Sequence, residues 1–155
     1  MLYFAYGSNM DKDWLRQRCP SANFRYKAKL TGHKLGFTHQ SVTNKCGAAD
    51  ATVSPSDDIW GAVFEIDDSE LPALYEAEGY EPLRTKNAYA PDTVTVLRDA
   101  DENQAVSMKT FFVCNKLNGH QRPSKEYLGH LIKGATDAGL PDDYQATIAA
   151  FPTLP

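Results

Sequence analysis

The sequence lacks the features on which several large classes of protein depend. Its three cysteines, Cys19, Cys46 and Cys114, are odd in number and far apart, which excludes a disulfide framework and a CxxC site. No apolar run approaches the roughly 18 residues of a membrane helix. The apolar residues 1–6 carry no basic charge and run directly into the polar residues 7–9, so we expect no signal peptide. We therefore expect a cytoplasmic protein with no membrane partner.

Metal and phosphate motifs are missing as well. The four histidines, His33, His39, His120 and His130, have no ligand spacing, and there is no HExxH segment and no calcium loop. There is no Walker loop and no GxGxxG segment after a strand, so a nucleotide function has no support. We expect neither a metal nor a cofactor.

The charge is unevenly distributed along the chain. There are 16 basic and 20 acidic residues, but residues 1–49 hold eight Lys or Arg and only two Asp. A basic segment of this kind can bind nucleic acid. Here the charges are spread over a predicted helix, a turn and a strand, and no RNP-like aromatic motif accompanies them. A solvated surface is the better interpretation, and we expect no nucleic-acid partner.

The length of 155 residues predicts a single domain, residues 1–155, and the strands and helices predicted along it place that domain in the α+β class. Apolar alternation predicts strands at 2–6, 33–38, 49–53, 60–66, around 94–96 and at 108–114. Cap and stop residues predict helices at 11–18, 70–77 and 125–138 and after Pro141. The Ser- and Asp-rich segment 54–58 predicts a turn that joins 49–53 and 60–66 into a hairpin, and residues 99–103 predict a second hairpin between the last two strands. Residues 79–91 predict a long irregular loop.

Two features can carry chemistry, and the residues alone leave both open. Gly7-Ser8-Asn9, the 7–9 loop, follows the first strand but lacks the GxSxG pattern of a nucleophile elbow. It is either a plain turn and helix cap or a cradle whose backbone N–H groups bind an anion. Glu78 ends an apolar-faced helix and is either a solvated glutamate or a carboxylate held against the core. Glu76 faces another side of that helix, so the two do not form a paired-acid site.

Six motifs, taken in order, resemble the γ-glutamylcyclotransferase family. They are LYFAYGSN at 2–9, PSA at 20–22 with AKL at 28–30, ATV at 51–53 with DIWGAVF at 58–64, LPALYEAEG at 71–79, PSKEY at 123–127 and GLPDDY at 139–144. The resemblance covers nearly the whole chain. It implies a small closed mixed β-barrel flanked by helices, also described as the AIG2-like fold. It also implies a small-molecule γ-glutamyl substrate, no metal or cofactor, and a monomer or homodimer.

The activity that the resemblance implies is the cyclisation of a γ-glutamyl amino acid to 5-oxoproline, with release of the free amino acid. A sister enzyme that releases a different amine is one alternative. A binding module that captures a small carboxylate without catalysis is another, although such a module has no need of Glu78.

The resemblance also implies the roles of individual residues. Glu78 is the expected general base and acid, and we expect apolar surroundings to raise its pKa. The backbone of the 7–9 loop is expected to stabilise the oxyanion. The expected substrate-binding residues are Tyr3, Phe4, Ala5, Tyr6, Gly7, Ser8, Asn9, Tyr89 and Tyr127. The loop after Glu78 is longer than in the animal enzymes and borders the expected cavity, so it bears on which γ-glutamyl substrate is preferred.

Overall fold

Five strands form the centre of the protein in the computed structural model, which describes all 155 residues. They are β1 (Leu2–Ala5), β2 (Asn23–Ser41), β3 (Cys46–Glu65), β4 (Tyr89–Arg98) and β5 (Ala105–Val113). The strands close into a barrel in the order β1-β3-β2-β4-β5. β1 pairs antiparallel with β3 and parallel with β5, so the barrel is mixed. The predicted closed mixed barrel is confirmed.

One predicted hairpin is wrong. The segments 49–53 and 60–66 do not pair with each other, because they are two parts of the long strand β3 and both pair with β2. Residues 54–57 form a bulge between Val53, which lies opposite His33, and Asp58, which lies opposite Thr31. Ser, Pro and Asp interrupt a strand ladder as readily as they reverse it, and their composition alone does not distinguish a bulge from a turn.

The second predicted hairpin is confirmed, with β4 and β5 pairing antiparallel and Val96 opposite Val106. The predicted irregular loop is shorter than expected because Tyr89 already begins β4. The chain between Ala77 and Tyr89 therefore consists of residues 78–88. It is closed at its base, since the Ala88 N–H donates to the Gly79 carbonyl (3.1 Å).

Four α-helices flank the barrel, and local signals place them close to the predicted positions. They are α1 (Lys12–Arg16), α2 (Leu71–Ala77), α3 (Lys125–Ala138) and α4 (Asp142–Ala149). Asp11 caps α1 by accepting from two backbone N–H groups, Ser124 caps α3, and Gly139 ends α3 with a φ of 71°. None of these helices is both long enough and apolar enough to cross a membrane.

Helix α3 fixes the segment that follows the 7–9 loop. His130 and Lys133 bind the buried Asp11 carboxylate at 2.8 and 3.0 Å. Gly134 lies so close to this segment that a Cβ there would be 2.3 Å from the Met10 carbonyl carbon and 2.6 Å from the Asp11 nitrogen. The lack of a side chain at Gly134 therefore lets α3 press directly against the backbone behind the loop.

We expect Gly134→Ala to destabilise the protein by about 2 kcal/mol, although alanine favours an isolated helix by up to about 1 kcal/mol. The reason is that the added methyl group meets backbone atoms, which cannot move aside as a flexible side chain does. Gly129→Ala on the same helix is the matched control, because nothing lies within 4 Å of its added Cβ. It should raise the urea midpoint slightly. Equal midpoint changes in the two variants would contradict the close-packing argument.

Candidate active site

A small inner cavity of about 30 Å³ brings most of the expected site residues together. Its lining consists of Tyr3, Tyr6, Gly7, Ser8, Asn9, Ala49, Glu78, Tyr89, Phe111 and Tyr127. A volume of this size admits an ordered water or a small group of ligand atoms. The inner cavity therefore holds only the reacting end of a larger substrate.

An outer cavity of about 800 Å³ continues from the inner one. The two share Ser8, Asn9, Glu78, Tyr89 and Tyr127. The outer cavity is further lined by the tip of the β2–β3 hairpin, by residues in and just after α1, by the last turns of α2 with the exposed Glu76, and by part of the 78–88 loop. The shared carboxylate of Glu78 thus lies at the junction of a confined space and a wide entrance.

Glu78 is turned towards the cavity by the way in which α2 ends. Its N–H still bonds the Leu74 carbonyl (3.0 Å), whereas Gly79 adopts a positive φ of 65° and ends the helix. The Glu78 residue is half-buried, and its carboxylate oxygen Oε1 accepts a hydrogen bond from Asn9 Nδ2 (2.8 Å). Desolvation raises the pKa of this carboxyl from 4.5 to about 7, against the opposing effects of Arg18 and Asn9. Of the two interpretations, Glu78 has the geometry of the held carboxylate.

The Asn9 side chain connects three groups in the site. Its Nδ2 donates to Glu78 Oε1 and to the Tyr3 hydroxyl (3.0 Å), while its Oδ1 accepts from Arg18 Nη2 (2.7 Å). The Arg18 guanidinium therefore fixes the orientation of the Asn9 amide, because only the amide oxygen can accept a hydrogen bond from it. Sequence reasoning assigned Asn9 to the backbone cradle and to the substrate-binding residues, but it did not predict that the Asn9 side chain binds Glu78, and it did not include Arg18. The one signal for Arg18 is a basic residue at the end of the first helix, and charge alone did not distinguish it from its basic neighbours.

Three tyrosine hydroxyls around the cavity are held by the backbone. Tyr6 donates to the Phe111 carbonyl (2.5 Å), and Tyr89 donates to the Ala49 carbonyl (2.6 Å). Tyr127 instead accepts from the Ala49 N–H (3.0 Å) and lies within hydrogen-bonding reach of the Ser8 side chain, so no backbone carbonyl takes its own proton. Burial raises the pKa of Tyr127 to about 12, which keeps that proton in place at neutral pH. Of the three, Tyr127 is the hydroxyl that can donate into the cavity.

The backbone N–H groups of the 7–9 loop find no acceptor within the chain. Gly7 lies close to β3, where a Cβ would be 3.2 Å from the Ala49 Cβ and 4.0 Å from the Tyr127 hydroxyl. This close approach places unpaired donors at the wall of the inner cavity. Both the cavity and the donors fit the interpretation of the loop as an anion cradle.

Phe4 and Ala5 are placed differently from the rest of the expected site residues and line neither cavity. Phe4 is fully buried, and a Cβ at Gly61 would lie 2.7 Å from its ring. Ala5 is buried opposite Ala62 of β3. Their place in the strand commits both residues to packing in the core. Conversely, Ala49 and Phe111 line the inner cavity without having been expected there.

Known proteins resemble this chain in both sequence and structure. The model of the AIG2-like family matches residues 58–148. The γ-glutamylcyclotransferase of Bos taurus is 34% identical over 148 residues, which cover 93% of this chain and 74% of that protein. The γ-glutamylcyclotransferase of Homo sapiens is 33% identical over 154 residues, which cover 97% and 78%. A solved structure of a γ-glutamyl cyclotransferase has a TM-score of 0.88 and 30% identity, and the match covers 99% of this chain and 89% of that one.

Proposed function

This chain belongs to the γ-glutamylcyclotransferase family, and we propose that it cyclises γ-glutamyl amino acids to 5-oxoproline with Glu78 as the base and acid. The observation that carries the assignment of Glu78 is its position. A carboxyl whose pKa of about 7 suits proton transfer at neutral pH lies at the junction of the two cavities, beside the donors of the 7–9 loop.

The reaction needs no nucleophile from the protein. The substrate's own α-amine attacks its γ-carbonyl carbon and closes a five-membered ring. When such an intramolecular attack is well oriented, it saves up to about 7–11 kcal/mol of the barrier to joining two separate partners. The inner cavity and the adjoining part of the outer cavity then have the task of holding the γ-glutamyl group in its folded, reactive shape.

Proton transfer is the task that remains for Glu78. The α-ammonium gives one proton to the Glu78 carboxylate before its nitrogen attacks the carbonyl carbon. Glu78 passes that proton to the leaving nitrogen, and the bond between carbon and that nitrogen breaks. A second proton moves from the ring nitrogen to the released amine by the same route. The products are a neutral lactam and an ammonium, and Glu78 ends as the carboxylate with which it began.

The substrate's charges have matching groups around the cavity. We assign the oxyanion that develops on the γ-carbonyl to the free N–H groups of the 7–9 loop, because preorganised donors stabilise a charge that forms only in the transition state. We assign the substrate's α-carboxylate to the Tyr127 hydroxyl, whose proton no backbone carbonyl accepts. Tyr6 and Tyr89 then act through their rings, as walls of the cavity.

The other properties that we propose follow from the family and from the chain itself. The protein acts as one domain, either as a monomer or as a homodimer. Its cysteines are free, and Cys19 and Cys46 are buried, which fits the reducing cytoplasm as its location. Its partner is the small-molecule substrate rather than nucleic acid.

Incubation with a panel of γ-glutamyl dipeptides and γ-glutamyl amines tests the function directly. Release of 5-oxoproline from the dipeptides supports the proposed reaction, whereas release only from the amines would favour the sister enzyme. Binding of 5-oxoproline or of a dipeptide without turnover would instead indicate the non-catalytic binding module. Displacement of the bound dipeptide by 5-oxoproline in a competition assay distinguishes this binding module from a protein that binds neither compound.

The pH dependence of kcat/KM should report the Glu78 carboxyl and the effect of Arg18 on it. We expect kcat/KM to rise about tenfold per pH unit below pH 7 and to level off above it, since only the carboxylate accepts the proton. Arg18→Gln removes a cation that lowers this pKa, so the inflection should move to higher pH, with the greatest loss of activity below pH 7. Lys12→Gln in α1, which makes no ion pair, controls for the lost charge. An unshifted inflection in Arg18→Gln would refute the coupling.

A further inference from the structure

The outer cavity has the size and the polar lining of a binding site for the part of the substrate that leaves. The outer cavity begins at Glu78, the residue that protonates the leaving nitrogen in the proposed mechanism. It therefore lies on the side towards which the released amine departs. Two cations line it, Arg18 and Arg84. The Arg18 guanidinium is already bonded to Asn9 Oδ1, which makes it part of the support for Glu78. Arg84 is the more exposed of the two cations, with 44% of its side chain accessible, and is therefore the one that a ligand in the outer cavity reaches.

The Arg84 guanidinium is anchored next to Glu78 by its own loop. Its Nη2 donates to the Gly79 carbonyl (2.7 Å), and its Nε donates to Asn87 Oδ1 (2.9 Å). Gly79 is the residue after Glu78, so these bonds hold the cation beside the backbone of the proposed base. A side chain fixed at two points loses less conformational entropy when it binds a ligand than one that is free to move.

The remaining N–H groups of Arg84 have only a weak competitor. Nη1 lies 3.6 Å from Glu81 Oε2, which is too long for a hydrogen bond, and the Glu81 side chain is 70% exposed. A planar guanidinium with free N–H groups matches the geometry of a carboxylate, which is the anionic group that the leaving part of a γ-glutamyl amino acid carries. In a γ-glutamyl amino acid, that carboxylate is attached to the carbon next to the leaving nitrogen.

We propose that Arg84 binds the α-carboxylate of the released amino acid and thereby selects γ-glutamyl amino acids over γ-glutamyl amines. The inference rests on the proposed function and assigns a specificity role to the loop that follows Glu78. Arg84 performs no proton transfer. Its contribution is to hold the leaving group so that its nitrogen faces Glu78.

Two substrates that differ by one group test the proposal. γ-Glutamylalanine and γ-glutamylethylamide have the same skeleton, and the second has a hydrogen where the first has the carboxylate. We expect Arg84→Gln to lower kcat/KM for γ-glutamylalanine by about tenfold, the loss of one charge-assisted contact at a partly exposed site. The value for γ-glutamylethylamide should stay within about twofold of the unmodified protein.

Two further variants separate recognition from loop structure. Lys86→Gln removes a neighbouring positive charge that lines neither cavity, and it should leave kcat/KM unchanged for both substrates. Asn87→Ala removes an anchor of Arg84 but keeps the cation. Because it loosens the loop beside Glu78, it should lower kcat/KM for both substrates by a similar factor. Equal losses on both substrates in Arg84→Gln would overturn the proposal and leave a purely structural role. If the unmodified protein forms no 5-oxoproline from γ-glutamylalanine and none from γ-glutamylethylamide, the proposed function is overturned, and this inference with it.

Discussion

Glu78→Gln should lower kcat for 5-oxoproline release by about a thousand-fold, within the range of 10²–10⁴ that a positioned acid–base group supplies. Glutamine retains an oxygen that can accept the hydrogen bond from Asn9 Nδ2, so the network around the cavity persists. The amide cannot accept the proton of the substrate's ammonium or return it to the leaving nitrogen. KM should change little, because the groups assigned to the substrate's carboxylate and oxyanion remain.

The residual rate of this variant is informative as well. Ring closure of a folded substrate and the donors of the 7–9 loop do not depend on Glu78, so turnover should remain above that in buffer. Glu102→Gln is the control, because Glu102 is an exposed carboxylate in the turn between β4 and β5 that makes no side-chain hydrogen bond or ion pair and lines neither cavity. It should retain close to full activity. A kcat for Glu78→Gln within tenfold of the unmodified protein would remove Glu78 from the mechanism.

The parts of the fold that sequence reasoning found are those encoded by neighbouring residues. Asp11 and Ser124 cap their helices, and Gly139 stops α3, because each acts on backbone groups within a few residues. The same holds for the hairpin of β4 and β5. Closure of the barrel depends on a parallel pairing between β1 and β5, more than 100 residues apart, and it was expected only from the family resemblance.

The parts that sequence reasoning missed depend on contacts distant in the chain. The bulge at 54–57 exists because β2 continues past it and pairs on both sides, which no local property of Ser or Pro reveals. The side-chain role of Asn9 requires Glu78, 69 residues away, to be brought beside it. Alternation along β1 did not predict that Phe4 lies in the core while Tyr3 and Tyr6 line the cavity. In each case contacts between distant parts of the chain determine the structure, and the local sequence is compatible with more than one outcome.

The same burial that makes Glu78 useful should make the folded protein less stable at neutral and alkaline pH. A carboxyl with a pKa of about 7 when folded and about 4.5 when unfolded holds more protons in the native state over that interval. Stability therefore falls as pH rises from about 4.5 to about 7 and is constant above. The total loss is about 3 kcal/mol, since each unit of pKa difference corresponds to about 1.36 kcal/mol.

Glu78→Gln should abolish this cost, because glutamine does not ionise and keeps the same shape. At pH 8 we expect the variant to be more stable than the unmodified protein by about 3 kcal/mol, a gain that declines as pH falls and nears zero below about pH 4.5. Urea unfolding of both proteins between pH 4.5 and pH 8 measures the difference. Glu102→Gln, at an exposed position, is the control for replacing a carboxylate by an amide. A gain for Glu78→Gln that is the same at every pH would mean that packing, rather than ionisation, separates the two proteins, and that Glu78 does not carry the raised pKa on which its proton transfer depends.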